Sequence, residues 1–236
     1  MAIVINGSGT VTGLAVGGLP DGTVDDGTLA SSAVTEAKIA TDAVTAAKIP
    51  ASLENTFVSG RKNLIINGAM QINQRGTTAT GGSSALHYGG CDRWRMYQEN
   101  TAIAYTLSQD SNSPDGFGSS YKIDVTTADS TLDAADRADF IYRFEGNELQ
   151  HLKKGTASAE SVTLSFWVSS PKTGTHIVEF YDLDNTRQIS KAYTVNSANT
   201  WEYKTITYAG DTTGAYGNDA NASVQISFWL MAGSNF

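Results

Sequence analysis

The sequence has few of the residues that build a disulfide framework, a metal centre or a membrane span. It contains one cysteine, Cys91, and three histidines, so no disulfide can form within the chain and no zinc motif is present. No apolar run approaches the roughly 20 residues that a membrane-spanning helix needs. The first residues have neither a basic segment nor a long apolar one, so we expect no secretory signal and no membrane insertion.

Positive charge is also scarce. The chain has 16 Lys and Arg against 24 Asp and Glu, for a net charge of −8. This balance argues against nucleic acid or an anionic membrane as the main partner. Only four prolines are present, whereas glycine occurs 23 times between short β-branched runs. These features predict a mainly β protein with many turns.

Aromatic residues are absent before Phe57. Residues 1–56 therefore cannot bury enough apolar area to offset chain ordering, which costs about 1–2 kcal/mol per residue for the backbone. We expect this segment to be disordered alone or to find its core in other chains.

A five-residue period runs through this segment, and it ends in SSAVTEAKIATDAVTAAKIP at residues 31–50. Residues five apart are about 140° apart on an α-helix and on opposite faces of a strand. Neither element explains the period, so we infer a repeating unit that returns one apolar residue to an axis shared with other chains. The predicted axis residues are Leu14, Leu19, Val24, Leu29, Val34, Ile39, Val44 and Ile49.

The stretch SGTVTGLAVGGLPDGTV and the following AVTxAKI units resemble the amino-terminal half of bacteriophage tail fibre proteins, especially those of marine and cyanobacterial phages. The resemblance covers roughly residues 1–50. It implies that residues 1–20 dock on the tail or baseplate and that residues 21–60 form an elongated homotrimeric shaft. A flexible linker is the alternative interpretation of the segment.

A second pair of motifs, NLIINGAMQINQ from Asn63 and CDRW ending at Trp94, resembles fibre proteins of the same phages. The first motif is also similar to the opening strand of jelly-roll carbohydrate-binding modules. This resemblance implies a jelly-roll β-sandwich over residues 61–236. Such modules often place an acidic residue near this strand for a structural calcium, but Ala69, Met70 and Gln71 follow here. We therefore predict neither a metal nor a cofactor.

Alternating strands support an antiparallel sandwich. In SVTLSFWVSS, alternation places the side chain of Phe166 on the face toward the core and that of Trp167 on the outward face. In VQISFWLMAG, the same rule places Phe228 and Leu230 inward and Trp229 and Met231 outward. Because the chain stops soon after this apolar strand, we expect further strands beyond residue 236 in the natural protein.

The sequence predicts no enzyme. Candidate carboxylate pairs such as Glu145 with Glu148, or Glu179 with Asp182, cannot be placed across a cleft from sequence. The DLDNT segment has the Asp spacing of a calcium loop but lacks its glycine and distal glutamate, so a hairpin turn is the better interpretation.

Outward-facing aromatic residues are the candidates for ligand binding. Trp167 and Trp229, together with Tyr181, could stack on sugar rings, or they could pack against a neighbouring subunit. In CDRW, we expect Asp92 and Arg93 to form a turn hydrogen bond or an ion pair that positions Trp94 in the core.

Together these observations predict a structural tail fibre subunit in the phage virion. Its partners would be two further copies of itself, tail or baseplate proteins, and a host-surface polysaccharide. A fibre-borne glycan depolymerase and a spacer without a ligand are the alternatives.

Overall fold

The computed structural model describes residues 4–5, 11–12, 34–35, 39, 63–81 and 85–236. The chain divides into two compact units, Met1–Arg61 and Lys62–Phe236. In the first unit, strand β1 (Val4–Ile5) pairs antiparallel with β2 (Val11–Thr12).

Two of the predicted axis residues are among those described. Val34 and Ile39 are both exposed in the single chain. The remaining axis predictions lie outside the described residues: Leu14, Leu19, Val24, Leu29, Val44 and Ile49. Most of the predicted docking segment and shaft lies outside them as well.

The second unit is mainly β, as predicted. None of the helices within the described residues has the length and apolar content that crossing a membrane requires. The unit contains two short 3₁₀ helices, Gly146–Glu148 and Gln150–Leu152. The strands are β3 (Thr78–Gly81), β4 (Ala85–Tyr88), β5 (Trp94–Glu99), β6 (Ala104–Asp110), β7 (Ser120–Thr127), β8 (Arg137–Glu145), β9 (Val162–Val168), β10 (Gly174–Asp182), β11 (Arg187–Val195), β12 (Glu202–Tyr208) and β13 (Ala222–Ala232).

These strands form two layers. One layer is a six-stranded antiparallel sheet with the order β11-β10-β13-β8-β5-β4. The opposite layer consists of the pair β12-β9 and the three-stranded sheet β3-β6-β7. Because the chain moves repeatedly from one layer to the other, sequence neighbours such as β8 and β9 lie in different sheets. The predicted antiparallel jelly-roll sandwich is confirmed.

The core lies between the layers, where alternate residues of each strand meet. The rings of Phe166 on β9 and Phe228 on β13 are 4.9 Å apart across the interface. A second cluster fills the space beneath β6, where Tyr105 and Leu107 pack on Met96 and Ala138. Burying each large apolar side chain stabilises the fold by about 1.5–3 kcal/mol.

The Asn-Leu-Ile-Ile-Asn-Gly and Asp-Arg-Trp motifs contact each other. Asn67 adopts a left-handed conformation with φ of 57°. Its amide group donates hydrogen bonds to the carbonyls of Ile72 and Asp92, and its Oδ1 accepts one from the Ile72 N–H. The Asp92 carboxylate in turn accepts the Gln74 N–H at 3.3 Å. The motifs therefore form one hydrogen-bonded corner at the start of the sandwich.

Trp94 lies in the core, as predicted, with its ring stacked 4.8 Å from Phe140. The carboxylate of Asp92 accepts the N–H of Gln74, 18 positions away, so this bond is not the expected turn hydrogen bond. Arg93 pairs with Glu145 at 3.6 Å and Glu148 at 4.0 Å, not with Asp92. Its φ of 75° turns the chain into β5.

A β-bulge in β13 corrects the predicted orientation of two residues. Trp229 pairs with Asp139 and Met231 with Ala138, so Leu230 is the extra residue between them. The bulge reverses the alternation. Met231 packs against the inner cluster and Leu230 is 48% exposed, whereas simple alternation places them the other way round.

Candidate functional site

The three predicted aromatic candidates lie on opposite sides of the sandwich. Trp229 on β13 and Tyr181 on β10 belong to neighbouring strands of the six-stranded sheet and face away from the core. Trp167 faces outward from β9 in the other layer. Since Phe166 and Phe228 meet between the layers, the tryptophan after each points in the opposite direction. The structure therefore brings Trp229 and Tyr181 to one face but does not bring Trp167 to it.

Trp167 belongs to a small aromatic patch of its own. Its side chain is exposed, and its ring lies 5.3 Å from that of Tyr203, its cross-strand partner on β12. Tyr203 is also exposed. This pair offers two rings on an otherwise polar surface.

Trp229 is held firmly by polar neighbours. Its indole N–H donates a hydrogen bond to Glu179 Oε2 at 3.0 Å. The guanidinium of Arg137 lies 4.7 Å from its ring centroid, and the ring of Phe236 lies 5.5 Å away. Arg137 is itself fixed by two hydrogen bonds to the buried carboxylate of Asp139. Trp229 is therefore half-buried and fixed in orientation.

Glu179 is a buried acid on this face. Burial raises its pKa above the ordinary value, although the Trp229 hydrogen bond and the charge of Arg137 act in the opposite direction. We call Trp229, Arg137, Asp139 and Glu179 the Trp229 cluster. It contains one cation, Arg137, and two acids, Asp139 and Glu179.

The outward face of the six-stranded sheet arranges its side chains in three rows across the strands. We call this surface the outer face. The first row is Arg143, Gln225, Tyr181 and Gln188. The second row is Tyr88, Arg95, Ile141, Ser227, Glu179 and Ser190. The third row is Leu86, Tyr97, Asp139, Trp229, Ile177 and Ala192.

A chain of hydrogen bonds connects the first two rows. Arg143 Nε donates to Gln225 Oε1 at 2.7 Å, and Gln225 Nε2 donates to Ser227 Oγ at 2.8 Å. Gln225 is 3% exposed and Ser227 is fully buried. The network therefore fixes the side chain of Arg143, because its Nε and both supporting residues have defined partners.

Arg95 lies on the same face, diagonally across from Arg143. It is 9% exposed, and its Nη1 donates a hydrogen bond to the phenolic oxygen of Tyr88. Its Nη2 is buried and has no hydrogen-bond partner among the described residues. Burial is the main cause that lowers the pKa of Arg143, and the positive charge of Arg95 lowers it further. The sequence analysis did not identify these arginines, because alternation in β5 and β8 gives only their outward direction and the pairing of the two strands brings them together.

The Asp182 segment is a hairpin turn, as predicted, between β10 and β11. The positive charge of Lys154 neutralises the carboxylate of Asp182. Lys154 Nζ lies 2.8 Å from Asp182 Oδ2 and 3.3 Å from Asp211 Oδ2, and it donates to the carbonyls of Thr213 and Gly214. Among the residues that the structure describes, no group of three or more His, Cys, Asp or Glu side chains is placed to hold a metal ion.

The structure brings one of the two candidate carboxylate pairs to a common cation and separates the other. Glu145 and Glu148 both contact the guanidinium of Arg93. Glu179 and Asp182 have opposite parity on β10, so Glu179 lies on the outer face while Asp182 contacts Lys154. Glu179 and Asp182 are therefore not opposed across one cleft, which is the arrangement that glycoside hydrolysis uses.

Comparison with known proteins gives distant structural matches. No family model and no curated protein matches the chain. Over 73% of its length it is similar to the enzymatically active domain of tailspike protein 4 of bacteriophage CBA120, with 17% identity and a TM-score of 0.41. The match spans 20% of that tailspike chain.

Two carbohydrate-binding modules are also similar in structure. The module CBM4 matches 70% of this chain and 88% of its own, with 20% identity and a TM-score of 0.33. The family 11 module of a cellulosomal cellulase of Clostridium thermocellum matches 64% of this chain and 88% of its own, with 12% identity and a TM-score of 0.35.

Proposed function

We propose that the chain is a structural subunit of a phage tail fibre in the virion. Residues 1–20 dock on the tail or baseplate, residues 21–60 form a homotrimeric shaft, and residues 61–236 present the sandwich to a host-surface polysaccharide. The tail fibre resemblance of residues 1–50 and the five-residue period support the first two parts. The exposure of Val34 and Ile39 in the single chain is consistent with their burial by neighbouring copies.

The outer face carries the binding part of the proposal. Its polar side chains are held in place by hydrogen bonds along Arg143, Gln225 and Ser227. Tyr181 lies directly beside Gln225 in the same row. Gln225 and Ser227 are buried, so they act by holding the partly exposed Arg143 in place. A donor that is already ordered binds sugar hydroxyl groups with little further loss of side-chain entropy. Three copies of such a face on one fibre would act together through avidity.

Binding to host polysaccharide tests this function. The full chain is applied to an array of host-surface glycans as wild type, Tyr181→Ala and Trp167→Ala. We expect Tyr181→Ala to lose binding and Trp167→Ala to retain it, because only Tyr181 lies on the outer face. The reverse result would assign binding to the Trp167–Tyr203 patch. Binding of no glycan would leave the fibre as a spacer.

Two further measurements test the assembly and the absence of catalysis. Light scattering should give three times the 25.0 kDa mass of one chain, and a monomer would remove the basis for the shaft. Incubation with host polysaccharide should release no new reducing ends. Their appearance would support a depolymerase instead.

A further inference from the structure

Among the residues that the structure describes, Arg95 and Arg143 on the outer face lack the acidic partners that Arg93, Arg137 and Arg187 have. Arg93 pairs with Glu145 and Glu148, Arg137 with Asp139, and Arg187 with Asp211. Among the described residues, no carboxylate lies within ion-pair distance of Arg95 or Arg143. In a chain with a net charge of −8, two adjacent cations without an acid are a local exception to the overall charge.

The position of these two arginines is unfavourable without a ligand. A buried charge costs several kcal/mol unless it is paired and hydrogen-bonded. Arg95 is more than nine-tenths buried, and within the described part of the chain its Nη2 has no hydrogen-bond partner. Arg143 lies close enough that the two positive charges repel each other, since Arg95 is among the causes that lower the pKa of Arg143. An anion beside Arg143 would offset the repulsion between the two positive charges.

The two side chains have different roles in such a contact. Arg143 is half-buried, and Gln225 holds its Nε, so its two terminal nitrogens are the donors left for a ligand. A guanidinium with two parallel N–H groups matches the geometry of a carboxylate or a sulfate. Arg95, fixed by Tyr88, adds a second buried positive charge behind it. Both guanidiniums are therefore ordered before a ligand arrives.

We propose that the outer face recognises an acidic polysaccharide, whose carboxylate or sulfate group lies against Arg143 and is further attracted by Arg95. This inference depends on the proposed glycan-binding function and specifies its ligand class. Tyr181 and Gln188 continue the row from Gln225, so the sugar units beside the charged one would extend along these side chains. The acids of the neighbouring rows are already engaged, Asp139 by the guanidinium of Arg137 and Glu179 by the indole N–H of Trp229.

The test uses matched charged and neutral polysaccharides with the full chain. Alginate is compared with its carboxyl-reduced form, and dextran sulfate with dextran, by biolayer interferometry at two salt concentrations. We expect the charged member of at least one pair to bind and its neutral form to bind far more weakly. Binding should weaken at high salt because mobile ions screen the contact. The pair that shows the difference identifies the anionic group.

Variants connect the preference to the two arginines. Arg143→Gln should weaken binding of the charged polysaccharide roughly ten- to a hundredfold, as expected for loss of a charge-assisted hydrogen bond. Arg143→Lys should restore it in part. Arg187→Gln removes the same charge at the end of the β10–β11 hairpin and should bind as wild type. If Arg143→Gln lowers the unfolding temperature, Arg143→Lys provides the test instead. Lysine keeps the positive charge but lacks the planar guanidinium, so weaker binding by this variant would reflect the lost hydrogen-bond geometry.

The outcomes separate this inference from the proposed function. Equal binding of charged and neutral polysaccharides, lost in Tyr181→Ala but unchanged in Arg143→Gln, would overturn the acidic preference and leave glycan binding intact. Binding of no polysaccharide, including the host-glycan array, would overturn both. Equal weakening by Arg187→Gln and Arg143→Gln would show general charge attraction and would also overturn the assigned site.

Discussion

The side-chain amide of Asn67 donates a hydrogen bond to the backbone carbonyl of Asp92 at 3.0 Å, across 25 positions of sequence. This bond joins the loop before β3 to the residue pair that leads into β5. Ile66 strengthens the same corner, because its N–H donates to the hydroxyl of Tyr142 in the centre of the six-stranded sheet at 2.8 Å. The corner therefore ties the start of the sandwich to its core.

Replacing Asn67 should destabilise the sandwich strongly. Asn67→Ala removes three hydrogen bonds and places alanine at a φ of 57°. We expect the free energy of unfolding in urea to fall by about 2–4 kcal/mol. Asn67→Gly should cost roughly 1 kcal/mol less, because glycine adopts this φ without strain. Equal stability of both variants and wild type would show that the corner contributes nothing.

Lys154 should be essential as an internal cation. Its side chain is 5% exposed, and so is that of Asp182. Lys154→Met leaves the Asp182 carboxylate buried without its cation, and we expect a loss of about 3–5 kcal/mol in thermal or urea unfolding.

Lys153 provides the matched control. It is exposed and pairs with Glu160 on the surface, so Lys153→Met should change stability by less than about 1 kcal/mol. Similar effects of the two substitutions would contradict the assignment of Lys154 as the internal cation.

Acid should destabilise the fold through Glu202. Hydrogen bonds from the Lys204 side chain, the Ser197 N–H and Asn196 lower the pKa of Glu202 from 4.5 to about 2. Because the folded pKa is depressed, this contribution is fully present above pH 4.5 and is lost as the pH falls towards 2.

The pH dependence of the urea midpoint checks this. Glu202→Gln should be less stable than wild type at neutral pH, and the two proteins should converge near pH 2. Glu160→Gln, at an exposed surface pair, should follow the wild-type curve. A constant difference between wild type and Glu202→Gln at every pH would refute the linkage.

Cys91 should be unreactive in the folded protein. Its thiol is buried and donates to the Met70 carbonyl at 3.3 Å. Burial, followed by the charge of Asp92, raises its pKa to about 11, so little thiolate exists at neutral pH. We expect Ellman's reagent to label the thiol fully in denaturant and only slowly in native buffer. Complete native labelling within minutes would mean that the corner around Asn67 opens readily.

The sequence by itself determined the features that depend on neighbouring residues. Strand alternation has a period of two, so the outward orientation of Trp167 and Trp229 could be predicted from Phe166 and Phe228 beside them. The residues of the DLDNT segment likewise predicted the hairpin turn after Asp182. The alternation rule failed at Leu230 and Met231, because a bulge forms only when a partner strand is present.

Only the tertiary structure decided which strands share a sheet. The two Ser-Phe-Trp segments look equivalent in sequence, yet β9 and β13 lie in opposite layers, and this separates Trp167 from Trp229. The same pairing brings Arg95 of β5 beside Arg143 of β8 and places Lys154 against Asp182. Such contacts join residues far apart in the chain, and their energies depend on burial and on the charges nearby. No local pattern contains that information, so the candidate anion-binding residues emerged from the packed sheet alone.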